Sequence, residues 1–560
     1  MIQRRLFLKQ CAGVATAALL AGCGGSGDGG ESGQVIIDDP LPAPTPTPVP
    51  APAPTPAPAA PPTGDAPIDR EEADIAAGFD GMFAGFGAGD AFHETRVAAS
   101  ADEFAAIFLA MRSNTDAAGV LGRRTRIVCD WDGVSTLASG AANRLYVNGI
   151  QQRTDGHLDH GGGILVVPGN GRRPAFGNQI EIAGARGIHF DRIDFFRQRV
   201  GTEVADTSYG ANICSNSTFP AKPVVLFTGC RFGARHIQPN LPQSQWVCAL
   251  NSVNAPHYVG LFGCSFNGHP TIAKLAVRRL RVDRCDFQSN LRDVFSAFGH
   301  LADSDYHAHI WISRCTFRGA ADGWENRNEH MDVLQTGHHG DVHLGYRCLL
   351  TDLVVHHNHS FAGDPGMGGG TQGFFNNGPA ALGIANQFVI RRCIVLVASP
   401  NGFAFYSPTA NRPSYVDQCT FMRCGSVPSG FAGDSNPQQD FAIGVTSQST
   451  PGGPWLFVTR SYGMDMRVNR DATVEMSMAI VDPRGNGRAA DGTAPERIFR
   501  GRDFTRGGAA ANHVAGKFGY RLPRETDSQA RFAEDIWANF EPVGGYAGIG
   551  SPDPRAIWAG

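Results

Sequence analysis

The sequence predicts an all-β solenoid, on three observations. One short pattern recurs five times through the middle of the chain, in VVLFTGCRF, YVGLFGCSF, LRVDRCDF, IWISRCTF and SYVDQCTF. Each copy is an extended apolar run, two turn-like residues and then Cys-x-Phe: Cys230 and Phe232, Cys264 and Phe266, Cys285 and Phe287, Cys315 and Phe317, Cys419 and Phe421. The first four copies are 34, 21 and 30 residues apart, intervals that fit one strand-bearing rung per repeat with loops of unequal length. A second set of segments, WVCALNS, TIAKLAV, DVFSAFGH, DVLQTGHH, QGFFNNG, NGFAFYS and FAIGVTS, aligns as another strand family. Finally, the roughly 490 residues after position 67 exceed what one compact core holds, whereas a coil adds rungs without widening its cross-section.

Stacking accounts for the pattern. In a parallel coil each rung lies ~4.8 Å from the last, so equivalent side chains sit on one another. Small Cys and flat Phe suit such inward ladders. A degenerate copy stands at Ile193 and Phe195, and another centres on Cys393. Together these residues resemble the right-handed parallel β-helix of the pectate-lyase-like superfamily, over roughly residues 96 to 485. The resemblance implies a right-handed parallel β-helix solenoid with an N-terminal capping helix. It leaves the activity open, since many chemistries share the coil.

Element by element, residues 1–23 read as an export leader. Arg4 and Arg5 in QRRLFLK, ahead of a short apolar run, resemble a twin-arginine signal, and Leu20-Ala21-Gly22-Cys23 resembles a bacterial lipobox. The apolar run is too short to span a bilayer. By resemblance, the mature chain begins at a diacylated Cys23, a membrane anchor in the envelope of a Gram-negative-type cell, facing the periplasm or the cell surface. Residues 24–67 form a tether, Gly/Ser-rich and then alternating Pro with Ala and Thr, which favours extended polyproline II. Residues 68–130 read as an N-terminal cap and first coil. Ser100 is an N-cap candidate ahead of Phe104, Ile107, Phe108 and Met111 at helical spacing, a helix suited to plug the coil's open end; 125–130 reads as the first strand. The parallel β-helix then occupies 131–485. Residues 486–560 are a Gly, Arg and Pro-rich C-terminal cap region with one helical stretch near Gln529–Phe540.

Of 13 cysteines, Cys11 lies in the leader and Cys23 is the lipidation site, which leaves an odd number at rung spacing, many of them beside a Phe. They read as buried small hydrophobes rather than disulfides, because stacked inward Cβ vectors run parallel. Net charge is −4 with no basic run, which argues against a nucleic-acid partner. A single elongated domain, monomeric and touching membrane only through its lipid, is expected.

Polar density peaks in DGWENRNEHMDVLQTGHHGDVH, which holds Trp324, Glu325, Arg327, Glu329, His330, Asp332, Gln335, His338, His339, Asp341 and His343. On a strand His330 and Asp332 share one face and Val333 takes the other. Gln335 has the parity of Val333, so it is either a buried ladder amide or lies past the strand end. Trp324 suits stacking on a sugar ring. His338 and His339 are adjacent and diverge on a strand, which opposes a tetrahedral zinc site. Asp332 and Asp341 are candidate Ca²⁺ ligands.

The superfamily resemblance implies catalysis on an exposed groove where outward polar groups of successive rungs converge. A polysaccharide lyase acting on a uronate-containing glycan needs a cation against the carboxylate, a base for the C5 proton and an acid for the leaving oxygen. His330, His338 and His339 are candidates for base or acid, Arg327 and Lys274 for the carboxylate, and Asp332 for orienting an imidazole. Trp324, Lys274, Gln335 and Tyr406 are the candidate substrate contacts. The motifs of pectate and alginate lyases are not matched residue by residue. A glycoside hydrolase using two of Glu325, Glu329, Asp332 and Asp341, or a polysaccharide-binding solenoid without catalysis, are the alternatives.

Overall fold

The apolar runs become strands that pair, rung after rung, in parallel register. The computed structural model describes residues 67–81, 91–113, 124–138, 144–148, 163–183, 187–198, 209–214, 224–290, 294–298, 307–320, 331–337, 345–357, 371–376, 387–397, 401–406, 413–423, 441–446, 456–464, 466–468, 474–477, 480–482, 528–541, 548 and 550–553. By its contacts the chain divides into 1–61 and 62–560; the first unit, with the leader, Cys23 and most of the tether, lies outside the described residues.

The strands form three rows. Row one runs from Arg144–Asn148 to Met466–Val468, row two from Glu94–Ala98 to Val474–Ser477 and row three from Gly133–Ser135 to Ile480–Asp482. Rows one and two form a single sheet, because the long strands Cys248–Phe262 and Ala273–Asp283 pass from one to the other. Within each row a strand pairs with its equivalents in the preceding and following rungs. This is an all-β, all-parallel architecture of solenoid type. The second strand family of the sequence is row one, in register from Leu250 through Ala273, Phe295, Leu334, Phe374 and Phe403 to Ile443.

Each Cys-x-Phe copy spans a corner instead of lying on one strand. Its apolar run belongs to row two and its Phe to row three. Between them one residue takes a left-handed conformation: Arg284, Arg314, Arg392, Gln418 and Arg460 have φ between 45° and 54°, while Gly229 and Gly263 do so without a Cβ penalty. At three of the arginine corners the cost is offset by ion pairs. Arg314 forks on Asp283, with its Nε at 2.8 Å, Arg392 on Asp352 at 2.6 and 3.1 Å, and Arg460 on Asp417, with its Nε at 2.8 Å.

Inside the coil the Phe residues make one column. Ring centroids are 4.5 Å apart for Phe195 and Phe232, 4.7 Å for Phe232 and Phe266, 4.9 Å for Phe266 and Phe287, and 4.8 Å for Phe287 and Phe317, with planes within 17° of parallel. The cysteines stack beside them. Nine of the chain's cysteines are free and buried among the described residues, and burial pushes the thiols of Cys129, Cys230, Cys285, Cys348 and Cys393 up. Their S–H groups donate to row-two carbonyls of the preceding rung: Cys230 to Phe190, Cys285 to Leu261, Cys393 to Leu350. In the last such rung Ser461 takes the position, its hydroxyl donating to Thr459 O at 2.8 Å.

Among the described residues three α-helices complete the structure. Helix α1 spans Pro67–Ala77, which the sequence reading missed, α2 spans Ala101–Ser113 and α3 spans Gln529–Phe540. Ser100 caps α2 as expected, its Oγ accepting from the Glu103 amide at 3.2 Å while Glu103 accepts from the Ala99 amide at 2.8 Å. Phe104, Phe108 and Met111 enter the core, with the Phe104 ring 4.8 Å from Phe176, so α2 closes the end of the coil. The first strand is Glu94–Ala98, ahead of α2, and not 125–130; it pairs on the outer edge of Thr125–Cys129.

Removing one ring from the column leaves a cavity that rigid sheets on both sides cannot fill. Phe266→Ala is expected to cost about 3–5 kcal/mol, read as a lower denaturant midpoint. A reducing agent is expected to leave the wild-type midpoint unchanged, because the core cysteines carry no bridges.

Candidate functional site

Helices occupy two of the three outer faces. Helix α1 lies on row two, where Ile68, Ile75 and Phe79 pack on Leu349, Val389 and Tyr415. Row three is covered by α3, whose Phe532 faces the Arg318 guanidinium at 5.2 Å and whose Gln529 donates to Cys285 O at 2.9 Å. Further along row three lies segment 234–246, with Trp246 buried and its indole N–H donating to Leu241 O at 3.0 Å. Among the described residues no helix lies along the outside of row one.

Row one places its polar residues in one register column. Glu181, Asn212, Asn251, Lys274, Ser296 and Gln335 are mutual neighbours from rung to rung, followed by Phe375, Ala404 and Gly444. The columns on either side are core: Ile180, Leu250, Ala273 and Leu334 before it, Ile182, Leu275 and Thr336 after it are all buried. Alternation therefore turns Glu181, Lys274 and Gln335 outward, and all three are half-buried. At one end the buried Arg197 donates to Gln179 Oε1 at 2.5 Å and to Tyr209 O at 3.3 Å, and Gln179 donates to Glu181 at 3.3 Å.

The open question about Gln335 resolves through a bend. Val333 and Leu334 are consecutive and both in the core, as are Ile272 and Ala273 and Val294 and Phe295. Parity lapses there, so Gln335 does not follow Val333 inward. Lys274 and Gln335 thus come together two rungs apart, about 10 Å between backbones. Asp332 lies on the Gln335 strand, opposite Gln372, and Tyr406 lies in the same row, opposite Thr446; these are backbone placements. Trp324, Glu325, Arg327, Glu329, His330, His338, His339, Asp341 and His343 lie outside the described residues. Among the described residues no group of three His, Cys, Asp or Glu is placed to hold a metal ion, and no helix is long and apolar enough to cross a membrane.

Sequence reasoning passed over Glu181, Asn251 and the Arg197–Gln179 pair. QIEIA and YGANIC carry the same apolar–polar–apolar signal as CALNS and AKLAV, and aligning them would have extended the column by two rungs.

Strongly perturbed histidines sit elsewhere, on row three. Burial lowers the pKa of His236 to about 4, with Arg231 adding repulsion. His269 is also lowered by burial; its Nδ1–H donates to Val247 O at 2.7 Å and its Nε2 has no partner. Both are packing groups: His269 holds the turn from row three into row one through Val247 O, and His236 lies in the segment along row three.

No family model, no curated protein and no solved structure matches the chain.

Because His236 and His269 are neutral when folded and take up protons more readily when unfolded, their contribution to stability is fully present above about pH 6.5 and is lost as pH falls toward 4. The melting temperature is expected to drop across that window, and a His236→Gln variant to show a shallower drop in a pH series followed by circular dichroism.

Proposed function

We propose that the chain is a right-handed parallel β-helix protein of the pectate-lyase-like superfamily, exported and lipid-anchored at Cys23, that degrades an acidic polysaccharide by β-elimination along the outer face of row one. The observation that supports this most is the row-one column of polar residues in which Lys274 and Gln335 share register and turn outward, with no helix along it among the described residues. A polymer needs a long, open, repetitive surface, and a ladder of polar groups at the rung spacing offers a contact to each successive sugar.

In this reading Lys274 neutralises the uronate carboxylate, which makes the C5 proton more acidic, and Gln335 hydrogen-bonds the adjoining sugar. A histidine among His330, His338 and His339, oriented by Asp332, removes the C5 proton. The electron pair forms the C4–C5 double bond, the C4–O bond breaks, and the leaving oxygen takes a proton from a second acid. Trp324 stacks on a ring, and Arg327 assists the carboxylate. Glu325 becomes the acid if the chemistry is hydrolytic, and Asp332 with Asp341 could hold Ca²⁺ beside the uronate.

Incubating the protein with uronate-containing and neutral polysaccharides should raise the ultraviolet absorbance of unsaturated uronates with the former. Reducing ends without that rise would replace elimination by hydrolysis, and silence on every substrate would leave a binding solenoid. Lys274→Ala is expected to lower kcat/KM by about a hundredfold, and Asp332→Ala and His330→Ala to abolish turnover, with folding retained. Full activity in all three would move the chemistry off row one. Labelled fatty acid fed to the producing cells should mark the wild type and not Cys23→Ala.

A further inference from the structure

Helix α1 is held to the coil differently from every strand. Among the described residues no backbone–backbone hydrogen bond joins it to the sheet; just past its end Arg279 Nε donates to Gly78 O at 3.2 Å. Its apolar contacts are few: Ile68, Ile75 and Phe79 rest on an outward column of row two formed by Trp311, Leu349, Val389, Tyr415 and Phe457, with the Phe79 ring edge-on to Trp311 at 5.8 Å. Most of its described polar contacts are ionic. Arg391 Nη1 meets Asp69 at 2.7 Å and Glu72 at 2.5 Å, Arg392 meets Glu72 at 3.5 Å, and Arg347 meets Glu71 at 2.8 Å and also Asp74. Gln387 donates to Glu71 at 2.9 Å.

Each of these coil groups has a second partner within the coil. Arg391 keeps Asp417 at 3.2 Å, Arg392 keeps Asp352 at 2.6 Å, and Arg347 Nε keeps Gln387 Oε1 at 2.9 Å. Departure of α1 therefore leaves Arg391 and Arg392 each on a coil aspartate and Arg347 on the Gln387 amide, which lowers the penalty that normally locks such pairs shut. Eleven residues are also too few to hold a helix in water without the surface beneath them, so α1 is helical only while docked.

We propose that α1 is a detachable clasp: it opens from and recloses on the outer face of row two as one unit, without unfolding the coil, and its occupancy is set by the carboxylate–arginine pairs and hence by ionic strength. Closed, it brings the chain into the coil on its flank, at the rungs of Arg347 and Arg391, and not at the end where α2 sits. Open, it exposes an apolar stripe with arginines at its margin.

The test uses the full chain. Arg70 is exposed within α1, but tryptic cleavage after it requires the helix to open. Raising salt from about 0.1 M to about 1 M shortens the screening length from ~10 Å to ~3 Å. Cleavage at Arg70 and amide hydrogen exchange across Pro67–Ala77 should accelerate about tenfold, while exchange in Gly345–Thr351 and Gln387–Arg391 stays unchanged. The double variant Asp69→Asn, Glu72→Gln should show the fast rates already at low salt and respond little to more. Rates in α1 that ignore both salt and the double substitution would overturn the clasp, as would loss of α1 protection only in step with those two strands.

Discussion

Vertical superposition of like side chains is the constraint on which everything else in this protein rests. Parallel pairing sets the rung spacing, and the spacing sets what can stack. Flat rings at centroid distances of 4.5–4.9 Å fill the interval between rungs, and the corner thiols donate to row-two carbonyls of the preceding rung. Neither ladder would form in an antiparallel sheet of the same composition, where equivalent positions do not recur on one side.

The same superposition acts on the outside, where it concentrates charge. Corner arginines in a costly left-handed conformation are tolerated because an aspartate on the neighbouring rung lies within reach of the fork, so strain and ion pair recur together at Arg314, Arg392 and Arg460. On row two stacking produces an apolar stripe, which needs cover and receives α1. On row one it produces a polar column, which tolerates water. The three faces differ in what their columns carry, and cover follows from that difference.

Much of this was legible in the chain. Cys-x-Phe reports its own spacing, and the Ser100–Glu103 pair ahead of an apolar periodicity marks α2 without ambiguity. The row-one segments could be aligned by eye. The corner between rows two and three was not legible, because Arg and Gln seldom take positive φ and nothing local marks them. Helix α1 escaped notice since its apolar residues, Ile68, Ile75 and Phe79, are too sparse to show a stripe; its docking depends on arginines more than 260 residues away in sequence. Simple alternation left Gln335 undecided because two consecutive core residues, Val333 and Leu334, reset the parity at a bend.

What the amino-acid order determined by itself is the rung's strand with its inward Cys and Phe, and a helix to stop the end, all of which are encoded by neighbours within a few residues. The tertiary structure alone decided which outer faces the described helices cover, that Lys274 and Gln335 share a column, and that the segment after the Pro-rich stretch docks on the flank. Loops of unequal length separate the rungs, so register between distant strands is invisible along the chain and appears only once the backbones pair.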